Sequence, residues 1–288
     1  MADRLRILLL GDVSGEPGRR AVATMVPGLR ERLGIGFVIA NGENAAGGYG
    51  LTPKLAEELL RAGVDCLTTG DHVFDRKEAW DYVTAEHRVL RPLNYPPEAP
   101  GRGHAIYDLR LPVPDCTNGA GEAVVRSVKV AVVNLLGRVF MKPLDCPFRR
   151  VMPLVNDLIR ETPIIIVDMH AEATAEKQAM GWFLDGKVSA VLGTHTHVQT
   201  ADDQVLPCGT AYISDVGMCG SFDSVLGMNK ELSLRRFIDM VPVRLTPGLA
   251  DLRLNGVIVD VEAATGRALA IERLSVPVPS EPNQTPAA

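Results

Sequence analysis

The chain has 288 residues, of which 46% are hydrophobic and 23% charged, a composition typical of a globular protein with a substantial core. Its net charge of −5 disfavours a protein that binds nucleic acid mainly through the phosphates, because such proteins are normally basic. The five scattered cysteines form no CxxC pair and no apolar run is long enough for a signal peptide or a membrane helix, so we expect a cytoplasmic protein without disulfides.

Short apolar runs recur along the chain, and each ends at a polar or glycine-containing cluster. The runs that we predict as buried strands cover residues 6–12, 36–44, 64–72, 128–138, 163–172 and 188–197. Helical patterns cover 22–33, 52–63, 148–161 and 171–184. The second of these has Thr52 at its predicted N-cap and Pro53 at its first position. This alternation predicts a layered α/β fold with central β-sheets flanked by helices.

The predicted elements extend over one domain, residues 1–275. Residues 112–127 are rich in Pro, Gly and small polar residues, which indicates an inserted loop or hairpin. Residues 253–274 alternate like an antiparallel hairpin. The proline-rich segment 276–288 is predicted to be a disordered C-terminal tail.

Side chains that can bind metal follow almost every predicted strand. They are Asp12, Glu43, Asn44, Asp71, His72, His170, His195 and His197. In α/β sheets the loops after the strands share one edge, so these donors are expected to lie close together. Seven or eight of them at one edge are enough to enclose two divalent ions, which predicts a dinuclear metal site at the carboxyl ends of the strands.

Each of these residues taken alone also has a purely structural explanation. An Asp after the first strand is common, the Asn41-Gly42 pair favours a turn, and His170 fits a hydrogen-bonded core histidine. The two histidines that flank Thr196 favour a shared ligand more strongly, because two imidazoles at that spacing are costly to desolvate without one.

The donor set mixes carboxylate, amide and imidazole groups and contains no thiolate. That mixture favours manganese, iron or zinc over calcium or magnesium. Two such ions would activate a bridging water as the attacking hydroxide and neutralise the oxygens of a phosphoryl group. A phosphate ester is therefore the expected substrate.

The order and spacing of several motifs resemble the calcineurin-like metallophosphoesterases, and among them the YmdB-like family of bacterial phosphodiesterases. The matching strings are GDVSGEPGR, NGENAAGGYGLT, TTGDHVFDRKE, LRPLNYP, NLLGRVFM, DMHAEATAEK, GTHTHVQTAD and GTAYISDVGM, which extend from residue 11 to about residue 218 in family order. The resemblance implies the layered metallophosphoesterase fold. It also implies a dinuclear-metal phosphodiesterase that hydrolyses cyclic nucleotides, preferentially 2′,3′-cyclic ones, by attack of a metal-bridging hydroxide on phosphorus.

The same resemblance implies a role for each donor. One ion would be bound by Asp12, Glu43, Asn44 and His197, and the other by Glu43, Asp71, His170 and His195, with Glu43 as the bridge. His72 would act as the general acid on the leaving oxygen or would hold the phosphate. Iron or manganese is expected, with zinc as the alternative.

The chain departs from the family patterns at two positions. The wider superfamily usually has a histidine where this chain has Ser14, and Asn44 would replace it as a ligand. The family pattern Gly-Asn-His reads Gly70-Asp71-His72 here, so a carboxylate replaces an amide and makes the site more negative. We expect firmer cation binding but a less acidic bridging water.

Other interpretations remain open. Arg138 would bind a substrate phosphate through its planar guanidinium or form a structural ion pair. A regulatory metal-binding protein of the same fold with little activity is the main alternative, and a metal-dependent amidohydrolase is a weaker one, because its HxH pair normally follows the first strand. The expected partner is a small phosphodiester or cyclic nucleotide. Stable nucleic-acid or membrane binding is not expected, and homo-oligomerisation stays open.

Overall fold

The computed structural model describes residues 4–117 and 123–279. Their strands in chain order are β1 (Arg4–Leu10), β2 (Asp12–Val13), β3 (Phe37–Asn41), β4 (Cys66–Thr68), β5 (His104–Thr117), β6 (Ala123–Leu136), β7 (Ile165–His170), β8 (Ala190–Thr194), β9 (Gln204–Val205), β10 (Ala211–Ile213), β11 (Met218–Ser221), β12 (Leu252–Glu262) and β13 (Ala268–Pro277). Their helices are α1 (Gly15–Leu33), α2 (Pro53–Arg61), α3 (Ala79–Ala85), α4 (Pro147–Leu158), α5 (Thr174–Leu184) and α6 (Lys230–Asp239).

The strands form two sheets. The first has the order β2-β11-β12-β1-β3-β4, with β13 paired to β12, and β1, β3 and β4 run parallel to one another. The second has the order β5-β6-β7-β8-β10-β9, in which β6, β7, β8 and β10 are parallel. The parallel strands of each sheet bring their carboxyl ends, and the loops that follow them, to one edge.

The two sheets pack face to face, with helices on both outer surfaces. Alternate residues of β1 show the arrangement: Leu5, Ile7 and Leu9 pack against apolar residues of the second sheet, whereas Leu8 and Leu10 pack towards α1 and α2. The opposite face of the second sheet packs against α4 and α5. This helix–sheet–sheet–helix layering confirms the layered α/β fold.

Local signals begin α2 as the sequence predicts, whereas α1 begins at Gly15, seven residues before the predicted start at Val22. Thr52 Oγ1 accepts a hydrogen bond from the Leu55 N–H at 3.4 Å and Pro53 is the first residue of α2. Pro27 lies inside α1, which nevertheless continues to Leu33 and ends at Gly34 with a φ of 63°.

The predicted insertion 112–127 within the domain and the predicted tail 276–288 after it both lie partly in strands. Much of 112–127 belongs to the β5–β6 hairpin, and residues 118–122 at its tip lie outside the described residues. The segment 276–288 begins with the last two residues of β13, and residues 280–288 lie outside the described residues. Among the helices that the structure describes, none is long and apolar enough to cross a membrane.

Candidate metal centre

The predicted donors come from both sheets and meet at one edge of the sandwich. Asp12 is in β2, two residues after the end of β1, and Glu43 and Asn44 follow β3. Asp71 and His72 follow β4 after the short Thr69-Gly70 turn. His170 is the last residue of β7, and His195 and His197 follow β8. Strand ends of the two sheets therefore face each other across a shared cleft.

Four of the donors form a tight cluster. Glu43, Asp71, His170 and His195 each place one ligand atom within 4.8 Å of the others. His170 Nε2 lies at the centre, 2.9 Å from Glu43 Oε1, 3.6 Å from Asp71 Oδ1 and 3.0 Å from His195 Nδ1. These four residues are the set that the resemblance assigns to one ion, and the structure brings all of them together.

Three further donors form a second group beside the first. Asn44 Nδ2 lies 3.3 Å from Asp12 Oδ1 and 3.1 Å from His197 Nε2, and His197 Nε2 lies 3.8 Å from Asp12 Oδ1. The other carboxylate oxygen of Asp12 accepts a hydrogen bond from the His195 N–H at 3.0 Å, which connects the two groups. All seven predicted ligands therefore lie in one pocket.

The chemistry of this pocket fits a divalent cation. Glu43 Oε1 and Asp71 Oδ1 are buried, and His170 Nε2 lies 2.9 and 3.6 Å from them. One imidazole proton cannot fully satisfy two buried anionic oxygens, and a cation would satisfy both. The residues of this pocket therefore fit a divalent metal, as the sequence predicts.

Gly70 makes the close approach of these donors possible. A Cβ atom at this position would lie 2.3 Å from His170 Nε2 and 2.4 Å from Glu43 Oε2. Any larger residue at position 70 would therefore occupy space that the ligand atoms need.

The clustered charges shift the pKa values of the donors in opposite directions. Burial alone would lower the pKa of His170, but the nearby anionic Glu43 and Asp71 raise it well above its usual value. Burial opposes the ionisation of Glu43 and Asp71, yet the charge of His170 and its contacts lower the pKa of both carboxyl groups. In the cation-free protein, His170 therefore holds a proton between two carboxylates, and a cation would have to displace it.

Hydrogen bonds to the far nitrogens orient two of the histidine rings. His170 Nδ1 lies 2.9 Å from Thr194 Oγ1, whose own proton goes to Asp168 Oδ1 at 2.7 Å. His197 Nδ1 donates to the Leu226 carbonyl at 3.0 Å. In both rings Nε2 therefore faces the pocket. Asp168, two residues before His170 on β7, therefore reaches His170 through Thr194.

The third histidine has the reverse orientation. His195 directs Nδ1 towards His170, and its Nε2 lies 3.2 Å from Glu172 Oε2. The carboxylate of Glu172 favours a proton on Nε2, which leaves Nδ1 as the nitrogen available to a cation.

The loop that carries His195 and His197 has a strained backbone. Both residues have positive φ, 103° and 65°, a conformation that non-glycine residues rarely adopt. Thr196 between them donates from its N–H and from its hydroxyl to Asp215 Oδ2, at 2.9 and 2.8 Å. The same oxygen accepts from Lys177 Nζ at 2.8 Å. This buried network holds the two histidines in place.

Sequence reasoning did not identify Lys177 and Asp215 as parts of the site. Both belong to motifs that carry the family resemblance, DMHAEATAEK and GTAYISDVGM, but neither follows a predicted strand as the donors do. Their burial is the signal that identifies them, since side chains with 2% and 1% exposure rarely keep a charge without a specific partner.

His72 lies at the rim of the pocket. Its N–H donates to Glu43 Oε2 at 3.1 Å, and its ring nitrogen Nδ1 lies 2.7 Å from Asp75 Oδ2. The carboxylate fixes the Nδ1 proton and leaves Nε2 free to exchange a proton with another group.

Arg138 is placed near the pocket by its backbone only. Gly137, the residue before it, donates its N–H to the His170 carbonyl, and the Arg138 N–H donates to the buried carboxylate of Glu176. Within the described residues, the Arg138 guanidinium has no hydrogen bond or ion pair. The role of Arg138 in substrate binding stays a prediction. The buried carboxylate of Glu176 holds the backbone of this loop in place by accepting hydrogen bonds from it.

Comparisons with known proteins show the family and the fold of this chain. The sequence model of the family described as YmdB-like protein matches residues 8–274. A 2′,3′-cyclic-nucleotide 2′-phosphodiesterase of Bacillus subtilis (strain 168) is 44% identical over 272 residues, which cover 94% of this chain and 97% of the relative.

Two solved structures have the same fold along nearly the whole chain. A hypothetical protein from Thermus thermophilus is 40% identical, with a TM-score of 0.83, and the match covers 96% of this chain and 100% of the other. A crystal structure described as a novel phosphatase from Mycoplasma pneumoniae is 33% identical, with a TM-score of 0.84 and coverage of 96% and 95%. The chain therefore belongs to the YmdB-like family and has the metallophosphoesterase fold.

Proposed function

We propose that this protein is a metal-dependent phosphodiesterase that hydrolyses cyclic nucleotides, with 2′,3′-cyclic phosphates preferred. The observation that carries the proposal is the clustering of the seven donors, in which the buried carboxylate oxygens of Glu43 and Asp71 converge on His170 Nε2. The 2′,3′-cyclic-nucleotide 2′-phosphodiesterase of Bacillus subtilis, which matches over nearly the full length of both chains, supports the choice of substrate.

The two donor groups would each hold one divalent cation. Asp12, Glu43, Asn44 and His197 would bind the first, and Glu43 would share the second with Asp71, His170 and His195. The imidazole and carboxylate donors favour iron or manganese, with zinc as the alternative. Bound in this way, the cations would neutralise the phosphoryl oxygens and acidify the attacking water.

His72, at the rim of the pocket, would protonate the leaving group. Asp75 fixes the proton on Nδ1 of His72, so Nε2 is the nitrogen that would donate a proton to the leaving oxygen. The His72 N–H donates a hydrogen bond to Glu43, and this bond positions the residue at the edge of the pocket. This arrangement supports His72 as the catalytic acid.

The overall charge supports a small substrate. With a net charge of −5, the chain would repel a long nucleic acid outside the cation site, whereas a single nucleotide contacts only the local surface. We propose that the protein acts in the cytoplasm on such small phosphodiesters.

The proposal is tested by turnover in the presence of defined metal. Protein stripped with a chelator and reloaded with Mn²⁺ should hydrolyse bis-(p-nitrophenyl) phosphate and 2′,3′-cyclic AMP, and the latter faster than 3′,5′-cyclic AMP. His195→Ala should abolish Mn²⁺-dependent turnover, and His72→Ala should reduce it by about 10²–10⁴-fold, the usual contribution of a general acid. His87→Ala changes an exposed histidine outside the pocket and serves as the control.

Two results would separate the enzyme from the alternatives. Mn²⁺ bound at full stoichiometry without turnover of any ester would contradict the proposal and favour a regulatory metal-binding protein. Equal turnover in wild type and His195→Ala would show that the activity does not come from this pocket.

A further inference from the structure

A cavity of about 510 Å³ opens next to His72. Tyr49 forms part of its wall and packs edge-on against the His72 ring, with 5.2 Å between the ring centroids. The same wall includes Gly47, in the turn that follows Asn44, and this turn is closed by a hydrogen bond from the Gly48 N–H to the Asn44 carbonyl at 3.0 Å. Two residues of the cavity wall therefore connect it to the proposed site: Tyr49 contacts the proposed catalytic acid, and Gly47 belongs to the turn after the proposed ligand Asn44.

The cavity is cationic in a chain that is acidic overall. Arg76, Arg236 and Arg244 line it, and no Asp or Glu does. Within the part of the chain that the structure describes, none of the three arginines forms an ion pair with a carboxylate. Arg76 donates to the carbonyls of Ala46 and Tyr49, which leaves its charge uncompensated. Arg236 and Arg244 are exposed, and their guanidinium groups make no hydrogen bond to described residues.

The rest of the lining is suited to a nucleoside. Val243 and Pro247 provide an apolar wall, and Tyr49 adds an aromatic side chain that is 40% exposed. The volume lies within the range of about 300–1,000 Å³ that is typical of small-molecule sites. Guanidinium groups bind phosphate oxygens in pairs, so three of them beside such a wall favour an anionic, phosphate-bearing ligand.

We propose that this arginine pocket binds a second phosphate of the substrate, so that the preferred substrates are 2′,3′-cyclic nucleotides that also carry a 5′-phosphate. The proposal rests on the proposed function for the position of the cyclic phosphate at the metal centre. The second phosphate takes no part in the reaction, and its binding would lower KM.

Steady-state kinetics on two substrates tests the pocket. For the Mn²⁺-loaded protein, 5′-phosphoadenosine 2′,3′-cyclic phosphate should have a kcat/KM at least about fivefold higher than adenosine 2′,3′-cyclic phosphate, the effect expected of roughly 1 kcal/mol from a partly exposed charged contact. In the double variant Arg236→Met/Arg244→Met this ratio should fall to about one. Arg235→Met is the matched control, because Arg235 lies on the same helix and pairs with Asp239. It should keep the wild-type ratio.

Equilibrium binding tests the pocket independently of turnover. Calorimetry should show that wild type binds adenosine 3′,5′-bisphosphate more tightly than adenosine 3′-monophosphate, and that the double variant binds both equally. If neither cyclic substrate is hydrolysed, the proposed function fails while this comparison still tests the pocket. Equal affinities in wild type, or a preference that survives in the double variant, would overturn the proposal.

Discussion

The buried ion pair between Lys177 and Asp215 offers the sharpest prediction about how the histidine loop is held. The two side chains are 2% and 1% exposed, and Nζ lies 2.8 Å from Oδ2. Replacing Lys177 by Met keeps most of the side-chain volume but leaves the Asp215 carboxylate buried without its cation.

The magnitude follows from what Asp215 retains. Removing one partner of a buried pair typically costs about 3–5 kcal/mol. Asp215 would still accept hydrogen bonds from the N–H and hydroxyl of Thr196 and from the Gly217 N–H. Since three donors remain, we expect the lower end of that range, a loss of about 3 kcal/mol in the free energy of unfolding.

The same substitution should weaken the metal centre, because Asp215 fixes Thr196 between the two histidines. We expect Mn²⁺ affinity to fall by about tenfold in Lys177→Met, the lower end for residues that orient metal ligands. Urea denaturation of the chelator-treated protein measures stability, and calorimetric Mn²⁺ titration below the unfolding transition measures affinity.

A surface ion pair provides the control. Lys129 and Glu161 lie 3.8 Å apart with side chains 44% and 58% exposed, so Lys129→Met should change neither stability nor Mn²⁺ affinity appreciably. A Lys177→Met protein as stable as wild type would refute the reasoning from burial. A destabilised variant with unchanged Mn²⁺ affinity would show that the pair supports the fold but does not position the histidines.

Three further predictions concern the pocket itself. Gly70→Ala should reduce Mn²⁺ affinity at least about tenfold, because the added Cβ would displace His170. Gly28→Ala is the control, since nothing lies within 4 Å of its Cβ, and it should bind Mn²⁺ normally. Equal metal content in the two variants would contradict the steric argument. Asp71→Asn removes one of three carboxylates and should weaken Mn²⁺ binding while moving the pH optimum of turnover downward, and an unchanged pH–rate profile would defeat the charge argument. Neighbouring carboxylates raise the pKa of His170, so Mn²⁺ binding near neutral pH should release a proton and become tighter as pH rises. Calorimetry in two buffers of different ionisation enthalpy should therefore give different heats of binding. Identical heats would contradict the release of a proton.

The layered fold and the grouping of the donors could be predicted because both follow from one regularity of the sequence. Several buried strands are short apolar runs with an oxygen or nitrogen donor at the strand end or a few residues beyond it, as with Asp12 beyond Leu10 and His170 directly after Met169. Parallel strands then bring these positions to one edge. The structure confirms this placement, while the assignment of each donor to a particular cation stays a prediction.

The supports of the site could not be predicted from the same pattern. Lys177 lies in a helix and Asp215 in a loop, and only the tertiary packing shows that both are buried against Thr196. The positive φ values of His195 and His197 also have no signal in the sequence, because glycine is the residue that normally indicates them. Such local exceptions are expected at functional sites.

The prolines of residues 112–127 also indicate an inserted loop or hairpin where the structure has part of an edge strand. Pro112 and Pro114 make 112–127 resemble a loop, yet β5 extends through both to Thr117. β5 is the outermost strand of its sheet, where a residue without an N–H can be accommodated on the unpaired side. Sequence alone does not tell an edge strand with prolines from a loop.

We propose that residues from both sheets bind a pair of cations that share Glu43. Anomalous diffraction from crystals of the Mn²⁺-loaded protein tests it most directly. We expect two manganese peaks in the pocket, one beside His170 and His195 and the other beside Asp12 and His197, with Glu43 bound to both. No peak there, or peaks only at other places on the protein, would contradict it.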